Sequence, residues 1–252
     1  MIGVFDSGVG GLGILAEIRE SSPKADLLYV ADRARAPFGT RTLSDVAAIA
    51  HDITDWLVDK GADCVVVACN TASAAALRSI RVSHPQLTVV GMEPAVKPAA
   101  EGTTTGTVVV YATAATFQAE LFESVVSRFA DGVEVLTRAC PDWVELIERG
   151  VIDGPEAEAA VGPVVSEAIE ANADRIVLAC THFSFLTPLI QRLTSIDVID
   201  PAPAVAAQTV RVSAELDGQG STTLAASGDL ATFASLARQL AHFDQTVIRF
   251  PS

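Results

Sequence analysis

Two cysteines occur in matching contexts far apart in the chain. Cys69 lies in Gly61-Ala-Asp-Cys-Val-Val-Val-Ala-Cys-Asn-Thr-Ala-Ser73, and Cys180 lies in Asn172-Ala-Asp-Arg-Ile-Val-Leu-Ala-Cys-Thr-His-Phe-Ser184. In each copy an apolar run ends in Ala-Cys and is followed by polar residues that begin a helix. A lone cysteine near a strand end is ordinarily a small buried hydrophobic side chain. A copied structural cysteine would not explain the polar pair that follows each one.

A pair of cysteines held on opposite sides of a carbon atom could invert its configuration. One thiolate removes a proton from one face, the other thiol delivers a proton to the opposite face, and the roles exchange in the reverse direction. A helix N-terminus beside a thiol makes its thiolate accessible. Asn70 and Thr71 after the first cysteine, and Thr181 and His182 after the second, offer hydrogen-bond donors for a substrate. The repeat therefore predicts a two-base site.

Alternating strands and helices must position these residues. The predicted strands are 2–5, 26–31, 63–68, 88–91, 107–111, 133–137, 175–179, 197–199, 222–226 and 246–249. Amphipathic helices are predicted between them, at 41–59, 116–130, 155–171 and 229–242. Apolar strands joined by helices are typical of an α/β fold with a mostly parallel sheet, in which ligands bind at the carboxyl ends of the strands.

Two proline-bearing junctions, Glu93 to Gly106 and Asp200 to Pro203, divide the chain. We expect two pseudo-symmetric α/β domains, the first formed by 1–94 plus 201–252 and the second by 95–200. One copy of the cysteine repeat falls in each domain. A cleft between the domains could therefore present the two thiols to each other, as an active site.

A glycine-rich turn offers a competing interpretation. Gly8, Gly10 and Gly13 match G-x-G-x-x-G, follow a predicted strand and open a helix. Asp32 closes the next strand, where a dinucleotide fold has its ribose-binding acid. A nicotinamide-dependent oxidoreductase is therefore an alternative from a different class.

The residues around this turn argue against a dinucleotide. Asp6 would bring a carboxylate close to the pyrophosphate, and no lysine or arginine occurs nearby before Arg19. We expect the turn to expose Asp6 and Ser7 instead, while the helix N-terminal amides help to bind a small anion.

Other polar residues near strand ends have structural roles by default. Thr113 and Thr116 follow a predicted strand and suit helix capping. Phe38 and Gly39 lie in a predicted turn. Glu148 lies on a predicted helix, where a carboxylate ordinarily faces solvent. These residues alone do not establish a site.

Composition and charge exclude several functions. The formal net charge is −14, so the chain lacks the basic surface that nucleic acid and anionic membranes attract. No apolar run reaches the roughly 18 residues of a spanning helix. A strand predicted from Ile2 leaves no room for a signal peptide. We therefore expect a cytoplasmic protein that binds neither nucleic acid nor membrane.

Neither a metal nor an organic cofactor is expected. Pyridoxal phosphate needs a Schiff-base lysine, and none of Lys24, Lys60 and Lys97 follows a convincing strand end. The paired Cys-x-x-Cys spacing of zinc sites is missing. Cys64 and Cys140 are expected to be buried structural residues.

Seven motifs together carry a family resemblance. In order, they are Asp6-Ser-Gly-Val-Gly-Gly-Leu12, Ala36-Pro-Phe-Gly39, Ala68-Cys-Asn-Thr-Ala-Ser73, Gly91-Met-Glu-Pro-Ala95, Ala112-Thr-Ala-Ala-Thr116, Leu178-Ala-Cys-Thr-His-Phe183 and Asp200-Pro-Ala202. Over about residues 1–210 the chain resembles the glutamate racemases of the aspartate/glutamate racemase superfamily. The ensemble is far more specific than any single motif.

The resemblance implies a two-domain α/β enzyme, commonly a homodimer, that interconverts L- and D-glutamate without a cofactor and supplies D-glutamate for peptidoglycan. It implies catalytic roles for Cys69, Cys180, Asp6, His182 and Glu148. It implies substrate contacts for Asp6, Ser7, Phe38, Gly39, Asn70, Thr71, Thr113, Thr116, Thr181 and His182.

Three residues depart from the family pattern. Phe38 stands where tyrosine is common, and Ala179 and Ser184 stand where glycine and proline are common. No reacting group is lost. The departures leave room for a racemase of aspartate or another small amino acid. A non-catalytic protein that binds an acidic metabolite is the third class of alternative.

Overall fold

Two parallel β-sheets form the framework of the molecule. The computed structural model describes residues 1–214 and 216–251. The strands are β1 (Ile2–Asp6), β2 (Leu27–Ala31), β3 (Cys64–Val67), β4 (Thr88–Gly91), β5 (Thr107–Ala112), β6 (Glu134–Ala139), β7 (Arg175–Ala179), β8 (Asp197–Ile199), β9 (Thr222–Ala226) and β10 (Val247–Arg249). Each predicted strand is found, with its ends within two residues of the expected positions.

Helices connect the strands and cover both faces of the sheets. They are α1 (Leu12–Ser21), α2 (Leu43–Asp59), α3 (Asn70–Ser83), α4 (Val96–Gly102), α5 (Ala114–Phe117), α6 (Glu120–Phe129), α7 (Pro141–Glu148), α8 (Pro155–Glu170), α9 (Thr187–Leu193), α10 (Ala202–Val212) and α11 (Leu230–Ala241). None of the described helices has the length and apolar character needed to cross a membrane.

One predicted helix was wrong in its extent. The segment 116–130 forms two helices, because Thr113 caps the short α5 and Ala119 adopts an extended backbone before α6 begins. The rings of Phe117 and Phe122 pack edge-on across this break, 5.0 Å apart. Packing of these two rings on each other favours the turn over one continuous helix.

The two sheets share one strand order. Within the described residues, the first sheet runs β10-β9-β2-β1-β3-β4 and the second runs β6-β5-β7-β8. The order β2-β1-β3-β4 in the first therefore matches β6-β5-β7-β8 in the second. All paired strands are parallel. The predicted fold class, with its pseudo-symmetry, is confirmed.

Three hydrophobic clusters hold the layers together. One packs α2 and α3 against the first sheet, and another packs α4 and α6 against the second. The third cluster contains residues of both sheets. At its centre Trp143 packs edge-on against Tyr111 and Phe183, with ring centroids 5.1 and 5.0 Å apart. This shared core fixes the two sheets relative to each other.

Candidate active site

A cavity lies where the carboxyl ends of the two sheets face each other. Its volume is about 260 Å³, just below the ~300–1,000 Å³ of drug-sized sites, which suits a ligand as small as an amino acid. The lining residues are Ser7, Pro37, Phe38, Gly39, Thr40, Cys69, Asn70, Thr71, Thr113, Ala114, Ala139, Pro141, Val144, Glu145, Cys180, Thr181 and His182. Both cysteines of the repeat therefore open onto one cavity.

Strand order explains why these residues converge. From β1 the chain passes to β2 on one side and returns to β3 on the other, so the first sheet reverses between β1 and β3. The second sheet reverses in the same way between β5 and β7. Ligands bind at such switch points because the loops diverge there and leave a crevice. Cys69 follows β3 and Cys180 follows β7, so each lies at a switch point.

Cys69 is the N-cap residue of α3 and is buried. Burial is the main reason that the pKa of its thiol lies above the ordinary value, and the Asp6 carboxylate raises it further. The backbone amides of Ala72 and Thr71, in the first turn of α3, act in the opposite direction. Cys69 therefore carries its proton at neutral pH and needs a base beside it to act as a thiolate.

Asp6 ends β1, the strand next to β3, and is 0% exposed. Its carboxylate accepts hydrogen bonds from the hydroxyls of Ser7 at 3.0 Å and Thr181 at 2.8 Å. Burial raises the pKa of Asp6, against the lowering influence of His182 and these hydrogen bonds. A carboxyl group with a raised pKa is suited to exchange a proton with a neighbouring thiol.

Cys180 is followed by a short 3-10 helix, Thr181–Leu186, which brings His182 next to it. The Sγ of Cys180 and the Nδ1 of His182 are 4.0 Å apart, and the Nε2 lies 2.8 Å from Oε1 of Glu148. Burial opposes protonation of the ring, but its hydrogen bonds to Cys180 and Glu148 outweigh this, so the pKa of His182 lies well above its usual value. A ring with a raised pKa is a strong proton acceptor for the Cys180 thiol, and once protonated it lies between the sulfur and a carboxylate.

Glu148 connects α7 to the first sheet. Its Oε1 accepts the backbone N–H of Val9 at 2.8 Å, and its Oε2 lies 3.3 Å from Nε of Arg33. Burial alone would raise the pKa of Glu148. The pKa nevertheless lies below its usual value, because His182 binds the carboxylate through a hydrogen bond and its charge, and the Val9 amide and the Arg33 charge add to this effect. Glu148 therefore remains an anion beside the His182 cation.

Three threonines from the two sheets form a cluster of hydroxyl groups. The Oγ1 of Thr71 lies 3.0 Å from that of Thr113 and 3.4 Å from that of Thr116, and the last two are 3.0 Å apart. Thr113 also caps α5, so it combines the predicted capping role with a position on the cavity wall. A Cβ on Gly39 would lie 2.8 Å from Cβ of Thr113, which explains why glycine is needed there.

Asn70 is buried on the cavity wall, with 3% of its surface exposed. Both polar atoms of its side-chain amide are buried without a hydrogen-bond partner among the described residues. Leaving a buried polar group unpaired costs roughly 1–3 kcal/mol. The amide is therefore available to hydrogen-bond polar groups in the cavity.

Three of the residues predicted for the site do not line the cavity: Asp6, Thr116 and Glu148. Each is hydrogen-bonded to a residue that does line it. These three side chains can therefore act on a ligand only through their neighbours. The other predicted residues all lie on the cavity wall.

The wall that α7 contributes was not predicted. Val144 and Glu145 line the cavity from the same helix that carries Glu148. Residues three or four apart share one face of a helix. Because Glu148 was predicted for the site, Val144 and Glu145 could have been predicted from their spacing to it. Thr40, next to the predicted Gly39, was also missed.

Protein side chains, rather than a dinucleotide, account for the glycine-rich turn. A Cβ on Gly8 would overlap Oε1 of Glu148, and one on Gly10 would lie 2.5 Å from Nδ1 of His182. A Cβ on Gly13 would meet nothing within 4 Å, so the third glycine lacks the close helix packing of dinucleotide folds. The turn does bind an anion, but that anion is the carboxylate of Glu148.

The side chains that would bind a dinucleotide ribose or a metal ion are not arranged for those roles. Asp32 is 0% exposed, and its carboxylate binds Ser227 at 2.8 Å and Arg35 at 2.5 Å, so it is not free to bind a ribose. In residues 1–214 and 216–251, no three His, Cys, Asp or Glu side chains converge as metal ligands.

Comparison with known sequences finds racemases that match most of the chain. A model of the Asp/Glu/Hydantoin racemase family matches residues 13–209. A glutamate racemase of Roseiflexus sp. is 44% identical over 248 residues, which cover 95% of this chain and 91% of the relative.

Solved structures show the same fold. A glutamate racemase from Francisella tularensis, crystallised with D-glutamate, matches with a TM-score of 0.87 at 25% identity, over 100% of this chain and 97% of that one. The Thermus thermophilus glutamate racemase, in complex with beta-chloro-D-alanine, matches with a TM-score of 0.82 at 32% identity, over 99% and 96%. The chain therefore belongs to the Asp/Glu/hydantoin racemase family.

Proposed function

We propose that this chain is a cofactor-independent glutamate racemase in which Cys69 and Cys180 act on opposite faces of the substrate α-carbon. One observation carries the proposal: both cysteines, each from one copy of the repeat, line a single small cavity. The substrate is inferred from relatives that are glutamate racemases, one of them in complex with D-glutamate.

The reaction consists of two proton transfers. A thiolate takes the proton of the Cα–H bond, and the electron pair left behind is delocalised into the adjacent carboxylate. The opposite thiol then gives its S–H proton to the other face of Cα. After one turnover the two cysteines have exchanged protonation states, and the reverse reaction or exchange with solvent restores them.

Each cysteine has its own acid–base partner. Asp6 is a buried carboxyl group whose charge acts on the Cys69 thiol, and it serves to accept the proton of Cys69. His182, held by Glu148 at 2.8 Å, serves the same purpose for Cys180. The two sides of the site therefore use different chemistry to ionise the same type of group.

In this proposal, neutral side chains that can donate or accept hydrogen bonds hold the substrate. Asn70, with its unpaired amide, and the hydroxyls of Thr71, Thr113 and Thr181 bind the amino and carboxylate groups. Ser7 contributes a further hydroxyl next to Asp6, and Phe38 and Gly39 shape the wall. Thr116 holds Thr71 and Thr113 from behind the wall.

The cellular context is also part of the proposal. D-glutamate produced here serves peptidoglycan synthesis in the cytoplasm, and the enzyme acts as a homodimer, as the family resemblance implies. Two domains, 1–94 plus 201–252 and 95–200, form the subunit. The sheets support this division. All described strands of the first sheet lie in 1–94 or 201–252, and all described strands of the second sheet lie in 95–200.

The experiment follows α-proton exchange and inversion without added cofactor. Purified, dialysed protein in D₂O should exchange the α-proton of L- and D-glutamate in ¹H NMR spectra and convert each into the other by circular dichroism. We expect Cys69→Ser and Cys180→Ser each to lower racemisation by about 10²–10⁴-fold, the usual contribution of a positioned acid or base.

Cys140→Ser is the matched control. Cys140 is buried but does not line the cavity, and its Sγ lies 3.6 Å from the carbonyl oxygen of Arg138, a hydrogen bond that serine can keep. Racemisation by this variant should stay near the wild-type rate. Full turnover by either of the other variants would refute the two-base mechanism, and faster turnover of aspartate would reassign the substrate.

A further inference from the structure

The Glu148 carboxylate is held by groups from both sides of the cleft. Its Oε1 accepts the Val9 N–H and faces Nε2 of His182, each at 2.8 Å. Its Oε2 faces Nε of Arg33 at 3.3 Å, and Arg33 follows β2 in the first sheet. The guanidinium in turn lies 3.5 Å from the carbonyl oxygen of Asp229. Arg33 is therefore the group that holds the second carboxylate oxygen.

A permanent cation at this position matters because His182 is not permanently charged. When a proton moves at Cys180, the His182 ring gains or loses charge, whereas a guanidinium stays charged at all relevant pH values. Whenever His182 is neutral, Arg33 is the remaining ion-pair partner of Glu148 within the described residues. The side chains of Arg33 and Glu148 are only 17% and 22% exposed, so water balances either charge poorly.

We propose that Arg33 is a positioning residue for racemisation. It keeps Glu148 ionised and turned toward His182, and through His182 it sets how readily Cys180 exchanges its proton. Arg33 does not line the substrate cavity, but it borders a neighbouring cavity of about 350 Å³ together with Glu148 and His182. The inference rests on the proposed function, because it concerns the base that Cys180 provides.

Loss of the Arg33 charge cannot be balanced locally. Among the described residues, the other titratable groups that face Glu148, His182 and Arg33 include no cation; they are Asp6, Tyr29, Cys180 and Asp229. Removing a nearby positive charge raises the pKa of both carboxyl and imidazole groups. Glu148 and His182 should therefore both take up protons at a higher pH when Arg33 is neutralised.

The test compares Arg33→Gln with Arg33→Lys, which keeps the charge, and with Arg149→Gln. Arg149 follows Glu148 in sequence but pairs with Glu156 at the surface. The pH dependence of kcat/KM is measured with either enantiomer, since the two directions must have equal kcat/KM. We expect the acid limb of the kcat/KM profile to move to higher pH by about half a unit in Arg33→Gln. In Arg33→Lys and in Arg149→Gln it should lie where it does in the wild type.

A second readout does not depend on turnover. The ¹H NMR titration of the His182 ring, assigned by comparison with His182→Asn, should show the same upward shift in Arg33→Gln. Arg33→Met provides the same contrast with Arg33→Lys if the glutamine variant does not fold. Unshifted profiles in the neutral variants, or an equal shift in Arg149→Gln, would overturn the proposal. A wild-type chain that does not racemise glutamate contradicts the proposed function instead, and the titration still decides the role of Arg33.

Discussion

At the scale of single residues, the buried amide of Asn70 should affect substrate affinity and the free energy of unfolding in opposite directions. A protein that only needed to fold would not bury two polar atoms without partners, because their desolvation is not recovered. Asn70 therefore costs free energy of folding, and under the proposed function hydrogen bonds to the substrate recover that free energy. Stability and affinity should respond to its removal with opposite signs.

We expect Asn70→Ala to leave the free energy of unfolding unchanged or to raise it by about 1 kcal/mol. The KM for glutamate should rise roughly tenfold to a hundredfold, because a hydrogen bond to a charged group contributes about 1.5–3 kcal/mol. Urea unfolding and initial-rate kinetics measure the two effects.

Ser73→Ala is the matched control on the same helix. Ser73 is 2% exposed and does not line the cavity, and its hydroxyl donates to the Val67 carbonyl and accepts the Met92 N–H, each at 2.9 Å. Its removal should lower the free energy of unfolding by about 1–3 kcal/mol and leave KM unchanged. An Asn70→Ala variant as unstable as Ser73→Ala would contradict a ligand-binding role for the amide.

At the scale of elements, the turn between β1 and α1 forms part of the contact between the sheets. It approaches the 3-10 helix after β7 so closely that a Cβ on Gly10 would lie 2.5 Å from Nδ1 of His182 and 2.5 Å from Oγ1 of Thr181. The glycines therefore let one element pack against the other, and Gly13, inside α1, does not share this role.

Gly10→Ala and Gly13→Ala should behave differently. In Gly10→Ala, the new methyl group must displace His182 or Thr181, so kcat should fall by at least about tenfold, since small misplacements at a reacting centre are costly. Gly13→Ala should keep its activity and raise the free energy of unfolding by up to about 1 kcal/mol. Thermal unfolding and racemisation assays distinguish them, and equal losses of activity would refute this account of the turn.

At the scale of the whole molecule, charge opposes substrate entry. The chain has a formal net charge of −14, and glutamate carries net negative charge at neutral pH. Among the described residues, no lysine or arginine lines the cavity, whereas the exposed Glu145 does. The negative electrostatic field at the cavity entrance should therefore slow the association of glutamate, and added salt should weaken this repulsion by screening it.

We expect kcat/KM for glutamate to rise as ionic strength increases from about 0.01 to about 0.1 M, where the screening length falls from about 30 to about 10 Å. Glu145→Gln should raise kcat/KM by about two- to fivefold at low salt and flatten the dependence. Asp142→Asn removes an exposed charge from the same helix away from the cavity, and its effect should be smaller. Equal effects of both variants would exclude a specific role for Glu145.

The sequence predicted much of the fold because its signals are local. Apolar runs indicated the strands, and the repeat around Cys69 and Cys180 indicated two related units. The break between α5 and α6 could not be predicted, because it depends on the packing of Phe117 on Phe122 rather than on helix propensity.

Long-range contacts limited the prediction of the site. The position of Cys69 and Cys180 at strand ends follows from the sequence, since residues after a parallel strand lie at its carboxyl edge. The site also depends on hydrogen bonds between residues far apart in the chain. Ser227 binds the carboxylate of Asp32, and Arg33 binds that of Glu148. No local pattern encodes such pairs.

By itself, the amino-acid sequence determined the parallel strands, the helices between them and the two strand ends that carry thiols. The tertiary structure alone decided that both thiols open onto one cavity. It also decided that the charge of Asp6 acts on Cys69, while His182, held by Glu148, lies beside Cys180. The physical reason is that strand and helix signals arise between near neighbours in the chain. Convergence at the cavity depends instead on how the shared hydrophobic core packs two sheets against each other.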